Sequence, residues 1–150
     1  QYDATPLGAV TEELFDYLAR VNLVAPTYIA LKLGMMMERG LIVFLTDMVT
    51  LSGREAYAGI RPSLPYVASR GGLQHVVRYL SKELAPRVRV IGLAVGWVDN
   101  PRASSRLREL ALRTIPTGSF VDPREVYAVI DVATRVPSLN GVFVVVSGGI

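Results

Sequence analysis

Apolar positions recur along this chain at two distinct spacings. Leu14, Phe15, Leu18, Val21, Val24, Ala25 and Tyr28 follow a helical period. Thr11-Glu12-Glu13 just before them reads as an N-cap with acids in the first turn, where the helix dipole favours them. Pro26 inside the run predicts a kink or a split, and Gly40 after Met35-Met36-Met37-Glu38-Arg39 suits a C-terminal cap. Three continuous apolar runs, Leu41–Leu45, Val88–Val95 and Val142–Val146, have the length of strands covered on both faces. Helices are predicted between them from about Tyr66 to Leu84, Arg102 to Arg113 and Pro123 to Val136. The last opens on Asp122-Pro123-Arg124-Glu125, a capping box with Pro at the first helical position. Strands alternating with such helices predict an α/β fold with a parallel sheet and right-handed crossovers. No repeat, low-complexity stretch or linker divides the chain, so 1–150 reads as a single domain. Three strands leave a sheet edge unprotected. The pattern is that of half of a doubly wound domain with helices on both faces.

Composition narrows the chemistry. Of 150 residues 51% are apolar and 19% charged, which excludes disorder for most of the chain, and no apolar run is long enough to cross a bilayer. The net charge of +3 is spread along the sequence, without the clustering that a nucleic-acid footprint needs. With no Cys there is no disulfide, thiolate metal site or cysteine nucleophile, and a single His argues against a histidine metal cluster or a Ser/His triad. No metal is expected. The chain opens on Gln1 without an initiator Met or a signal-like segment, and reads as beginning mid-protein and residing in the cytoplasm.

Tyr66 and Arg70 lie four apart and share one helix face. A cation beside a phenol favours the phenolate, so the pair predicts a lowered Tyr66 pKa and a tyrosine able to move protons near neutrality. An ordinary surface pair is the competing reading. Tyr57 and Arg61 repeat the spacing, but Pro62 and Pro65 follow at once and argue against a helix there. His75 reads as a packed or interface histidine.

Six segments in order resemble the short-chain dehydrogenase/reductase family. Glu13–Leu23 resembles the helix that ends in the family's buried Asn, and Gly40–Asp47 the strand that ends at its catalytic Ser. Tyr66-Val67-Ala68-Ser69-Arg70 resembles the Tyr-x-x-x-Lys helix, and Val90–Val98 the strand leading to Pro-Gly. Ile115–Val126 is similar to the return to the last helix, and Asn140–Gly149 to the closing strand. The resemblance implies the C-terminal part of a roughly 250-residue dinucleotide-binding (Rossmann-type) fold, since no glycine-rich fingerprint for the pyrophosphate occurs here. It implies Tyr66 as proton donor or acceptor and Arg70 as the cation that holds the nicotinamide ribose. Gly96, Val98 and Asn100 would join them in binding NADP or NAD. Asp47, or Thr46 before it, stands where the family has Ser; pteridine reductases also place Asp there. Asp47 would bind substrate or feed protons, with Ser52 as the alternative, and Trp97 would contact substrate. Asn22 matches the Asn that organises a water chain, although a polar helix residue bonded to backbone is an equal reading. Arg cannot pass on a proton as Lys does.

Two functions follow from the resemblance. One is an NAD(P)-dependent oxidoreductase acting on a carbonyl, hydroxyl or imine of a small molecule, a homo-oligomer through the Thr11 and Tyr66 helices. The other is a catalytically drifted relative serving as a binding or assembly scaffold, or one half of a split protein.

Overall fold

The computed structural model of the chain describes residues 1–51, 61–101 and 103–150. Ser52, Tyr57 and Arg102, each used in the sequence reading, lie outside the described residues. Strands β1 (Gly40–Asp47), β2 (Val88–Val95) and β3 (Phe143–Val146) form one parallel sheet in the order β1-β2-β3. They are the three apolar runs, with the first extended through Thr46 and Asp47 and the last starting one residue late. Side chains alternate across the sheet. Phe44, Val88 and Val90 meet Leu73, Val77, Leu80 and Leu84 on one face. Ile91 and Leu93 meet Val126, Val129, Ile130 and Ala133 on the other. The expected helices on both faces are therefore present.

The helices are α1 (Glu12–Ala19), α2 (Ala25–Met36), α3 (Leu64–Glu83), α4 (Ser105–Thr114) and α5 (Pro123–Arg135). Thr11 caps α1 by accepting from the Leu14 amide at 3.3 Å. Pro26 splits the first helical segment: Arg20–Val24 widen into a π turn, and α2 starts again with Pro26 in its first turn. A proline has no N–H for the carbonyl four residues back, and the wider turn removes the clash between ring and carbonyl. Gly40 is not a cap. The chain leaves α2 at Met37 in extended geometry, Arg87 Nη1 donates to the Met37 carbonyl at 2.8 Å, and Gly40 begins β1. Pro65 stands in the first turn of α3 behind its cap Ser63, a position where a missing N–H costs nothing. The capping box of α5 is present, with Arg124 N donating to Asp122 Oδ1 at 2.8 Å and Asp122 N to Glu125 Oε2 at 3.1 Å.

On the Tyr66 helix, expected to take part in an oligomer interface, Val77 and Leu80 are buried against the sheet, because they fall on the turn that faces β2. Exposed apolar side chains lie on α1 at Phe15 and Tyr17, on α2 at Tyr28, Ile29, Leu33 and Met36, and on α3 at Tyr79. No helix among the described residues is long and apolar enough to cross a membrane.

Arg89 at the start of β2 closes the far end of α5. Its guanidinium donates to the carbonyls of Ala133, Thr134, Val136 and Leu139 at 2.8–3.2 Å. A helix C-terminus has carbonyls without intrahelical partners and a partial negative charge, and one cation satisfies both. Arg89→Met should lower stability by about 2 kcal/mol, the usual scale for hydrogen bonds to a charged group, read as a lower urea midpoint at unchanged slope.

Candidate active site

The carboxyl ends of β1 and β2 border a cavity of about 390 Å³ lined by Leu45, Thr46, Asp47, Tyr66, Arg70, Val95, Gly96, Val98, Pro123 and Val126. Open α/β sheets present ligands at this end of their strands. Asp47 is the last residue of β1, where the strand turns into a short 3-10 segment, and its Oδ1 accepts from the Val49 amide at 3.1 Å. The bond fixes the carboxylate so that Oδ2 faces α3, where the Tyr66 hydroxyl donates to it at 2.7 Å. Tyr66 is 3% exposed and held in the first turn of α3 by Ser63.

Arg70, one turn further on, has its guanidinium carbon 5.9 Å from the Tyr66 ring centroid, and its Nη1 donates to the Leu45 carbonyl at 3.2 Å. The pairing of Tyr66 with a cation is as expected; its electrostatic consequence is not. The Tyr66 phenol is held well above its ordinary value, first by burial, then by the negative charge and hydrogen bond of Asp47, with Arg70 pulling the other way. Burial and a carboxylate outweigh one cation. Tyr66 therefore keeps its proton through the neutral range and directs it to the Asp47 carboxylate.

The other expected residues divide. Gly96 and Val98 share the cavity with Asp47, Tyr66 and Arg70. Trp97 and Asn100 line a second cavity of about 170 Å³ with Leu107, Arg108 and Phe120. Asn22 is 1% exposed and lies behind the site: its side-chain amide donates to the Gln1 carbonyl at 2.9 Å and approaches Ser69 Oγ at 3.5 Å. His75 is exposed.

The sequence reading missed Tyr2, whose ring packs edge-on against Tyr66 with centroids 5.1 Å apart and planes at 66°. Pro123, expected only as a helix start, and Val126, expected only as the end of the segment returning to the last helix, also line the cavity. Nothing near Tyr2 signals the contact, because residues 1–6 carry no periodicity and the partner is distant in sequence.

The cavity wall carries two buried polar atoms, Thr46 Oγ1 and Arg70 Nε, with no hydrogen-bond partner among the described residues. Buried donors and acceptors are nearly always satisfied, so a pair of orphans on one wall fits a polar ligand group such as a ribose with its hydroxyls.

The family model described as enoyl-(acyl carrier protein) reductase matches residues 2–150. The chain belongs to the short-chain dehydrogenase/reductase family. Carbonyl reductase family member 4 of Danio rerio is 30% identical over 151 residues, covering 99% of this chain and 61% of that protein. The 3-oxoacyl-[acyl-carrier-protein] reductase FabG of Thermotoga maritima is 30% identical over 131 residues, covering 83% and 51%. The chain thus spans between half and three-fifths of the length of these family members. Among solved structures, FolM alternative dihydrofolate reductase 1 of Brucella suis in complex with NADP matches with a TM-score of 0.84 at 22% identity, over 99% of this chain and 60% of that one. That likeness is one of fold, and it bears out the Rossmann-type α/β architecture over the matched portion.

Proposed function

We propose that the protein is an NAD(P)-dependent reductase of a carbonyl or imine in a small molecule, with Tyr66 as the proton donor. The observation that carries the proposal is the 2.7 Å hydrogen bond from Tyr66 to Asp47 beside a wall bearing the orphaned Thr46 Oγ1 and Arg70 Nε. Arg70, Thr46 and the backbone around Gly96 and Val98 would hold the nicotinamide and its ribose, and Leu45, Val95 and Val126 would give that end an apolar floor. The cofactor, when bound, supplies hydride to the substrate carbon. Tyr66 gives the proton of Oη to the adjoining oxygen or nitrogen, so the double bond gains one hydride and one proton. Asp47 holds the phenol in its protonated, aimed state beforehand. Its carboxylate also offers a hydrogen-bond acceptor to a donor on the substrate. The general acid must lie within hydrogen-bond reach of the atom it protonates, and the Tyr66 hydroxyl stands at the cavity wall.

The names of the relatives agree with this class of chemistry: each is called a reductase, and the Brucella protein binds NADP. The assembly we propose is a homo-oligomer in which the exposed α2 face, with Tyr28, Ile29, Leu33 and Met36, is covered by a second copy.

Titrating the whole protein with NADPH and NADH tests the reading before any substrate is known. Micromolar binding of one of them, weakened tenfold or more by Arg70→Ala and restored by Arg70→Lys, is the expected result. No binding of either at millimolar concentration would end the enzyme reading in favour of a scaffold.

A further inference from the structure

The segment before α1 is not a loose lead-in. Asn22, buried in the π turn, donates from its side-chain amide to the carbonyl of Gln1 at 2.9 Å. Two residues on, the Asp3 carbonyl accepts from the Ser63 amide at 2.9 Å, at the cap of α3. The Asp3 carboxylate in turn accepts from the Thr5 amide and hydroxyl at 3.0 and 3.1 Å. Tyr2 is the residue between these two anchors. Tyr2 is 43% exposed, and its ring lies edge-on to that of Tyr66. Tyr66 itself is almost wholly buried, so Tyr2 is interposed between its ring and solvent.

We infer that Tyr2 is a positioning residue for the proton donor: strapped down by Asn22 and Ser63, its ring fixes the ring of Tyr66 and keeps it desolvated on the side that does not line the cavity. The inference rests on the reading of Tyr66 as the donor. Two physical effects support it. An edge-to-face pair stabilises and restricts the ring it touches. Burial of the Tyr66 ring raises the cost of ionising the phenol. Among the described residues the charged or titratable groups facing Tyr66 are Asp47 from β1, Arg70 from α3 and Tyr2 itself, with Asp3 acting on Tyr2. The phenol of Tyr2 is likewise held above its ordinary value, by burial and then by Asp47 and Asp3, so Tyr2 adds no charge to the site near neutrality. The pairing assigns to Asn22 an indirect task, since its side chain acts on the strap and touches neither Tyr66 nor the cavity.

The test uses the whole protein with tyrosine labelled at the ring carbon bearing the hydroxyl, the Tyr66 signal being identified by its loss in Tyr66→Phe. The wild-type signal should remain that of a neutral phenol beyond pH ~10, the ordinary tyrosine midpoint. Tyr2→Ala should lower the Tyr66 midpoint by about one pH unit or more and reduce kcat about tenfold at nearly constant KM. Tyr2→Phe should restore both, because the ring and not the hydroxyl is at work. Asn22→Ala should shift Tyr66 in the same direction by releasing the strap; where that variant fails to fold, the Tyr2 pair decides alone. An unmoved Tyr66 midpoint in Tyr2→Ala, a Tyr2→Phe variant that behaves like Tyr2→Ala, or a change in KM alone would each overturn the inference. The titration needs no turnover. A shifted midpoint in a protein whose activity ignores Tyr66→Phe would therefore sink the catalytic reading and leave the packing role standing.

Discussion

Replacing Tyr66 by Phe lowers kcat of the whole protein about 10²–10⁴-fold, the range usual for a positioned proton transfer. The phenyl ring still fills the buried site against Leu18, Met48 and Ala94, so the fold should hold. What is lost is the hydroxyl that donates to Asp47 at 2.7 Å. NADPH affinity should change little, which separates loss of the donor from loss of the site and places the effect in kcat. The same substitution has a signature in stability. Below pH ~10 the phenol is neutral in both the folded and the unfolded chain and favours neither. As the pH rises above that value the unfolded tyrosine ionises, while burial and Asp47 keep Tyr66 protonated in the fold. The unfolded state then binds fewer protons than the native state, and stability falls with rising pH. Tyr66→Phe should remove its share of this alkaline decline, visible in urea midpoints measured between pH 9 and 11. Unchanged kcat in a folded variant would exclude Tyr66 as the donor.

Gly96→Ala is the second large effect, and it follows from geometry alone. Gly96 leaves the end of β2 with its amide donating to the Val146 carbonyl at 2.9 Å. A Cβ built on it would stand 2.7 Å from the Ser147 Cα and 3.0 Å from the Ser147 carbonyl oxygen. Both are backbone atoms, and Ser147 precedes Gly148 and Gly149, whose left-handed φ values of 71° and 96° fix the turn that follows. The neighbour cannot step aside without breaking the ladder. Overpacking of this kind costs about 3 kcal/mol, and the cavity wall at Gly96 and Val98 moves with it. Gly71→Ala should act oppositely. Among the described residues nothing lies within 4 Å of its Cβ position inside α3, so alanine should add about 0.5–1 kcal/mol by relieving glycine's helix penalty. Urea midpoints of the two variants of the whole protein should straddle the wild type. A neutral Gly96→Ala would show that the strand ends can part.

Much of this architecture was legible because apolar runs and capping signals are local. Leu41–Leu45 and Val88–Val95 announce buried strands, and Asp122 with Glu125 announces the start of α5. The capping box fixes that boundary to the residue. Gly40 misled because a glycine after a helical run fits both a cap and a strand start, and the choice was made by Arg87, a residue far along the chain. The site was half legible. Tyr66, Arg70 and Asp47 stood out through spacing and through the end of an apolar run. The direction of the Tyr66 shift was lost because sequence shows a cation four residues away but not the burial that outweighs it. Trp97 and Asn100 follow β2 closely, yet the chain turns after Gly96 and carries them into the smaller cavity. Tyr2 had no local signal at all.

Arg89 and the cavity stand at opposite ends of one rod. Helix α5 spans 13 residues, about 20 Å, with its last carbonyls locked to Arg89 and its first turn, through Pro123 and Val126, forming a wall of the cavity. Between these ends Val129, Ile130 and Ala133 pack on Ile91 and Leu93, so the rod is seated along its length. Asp47, Tyr66 and Arg70 belong to β1 and α3, so the two walls of the cavity are held by separate sets of contacts.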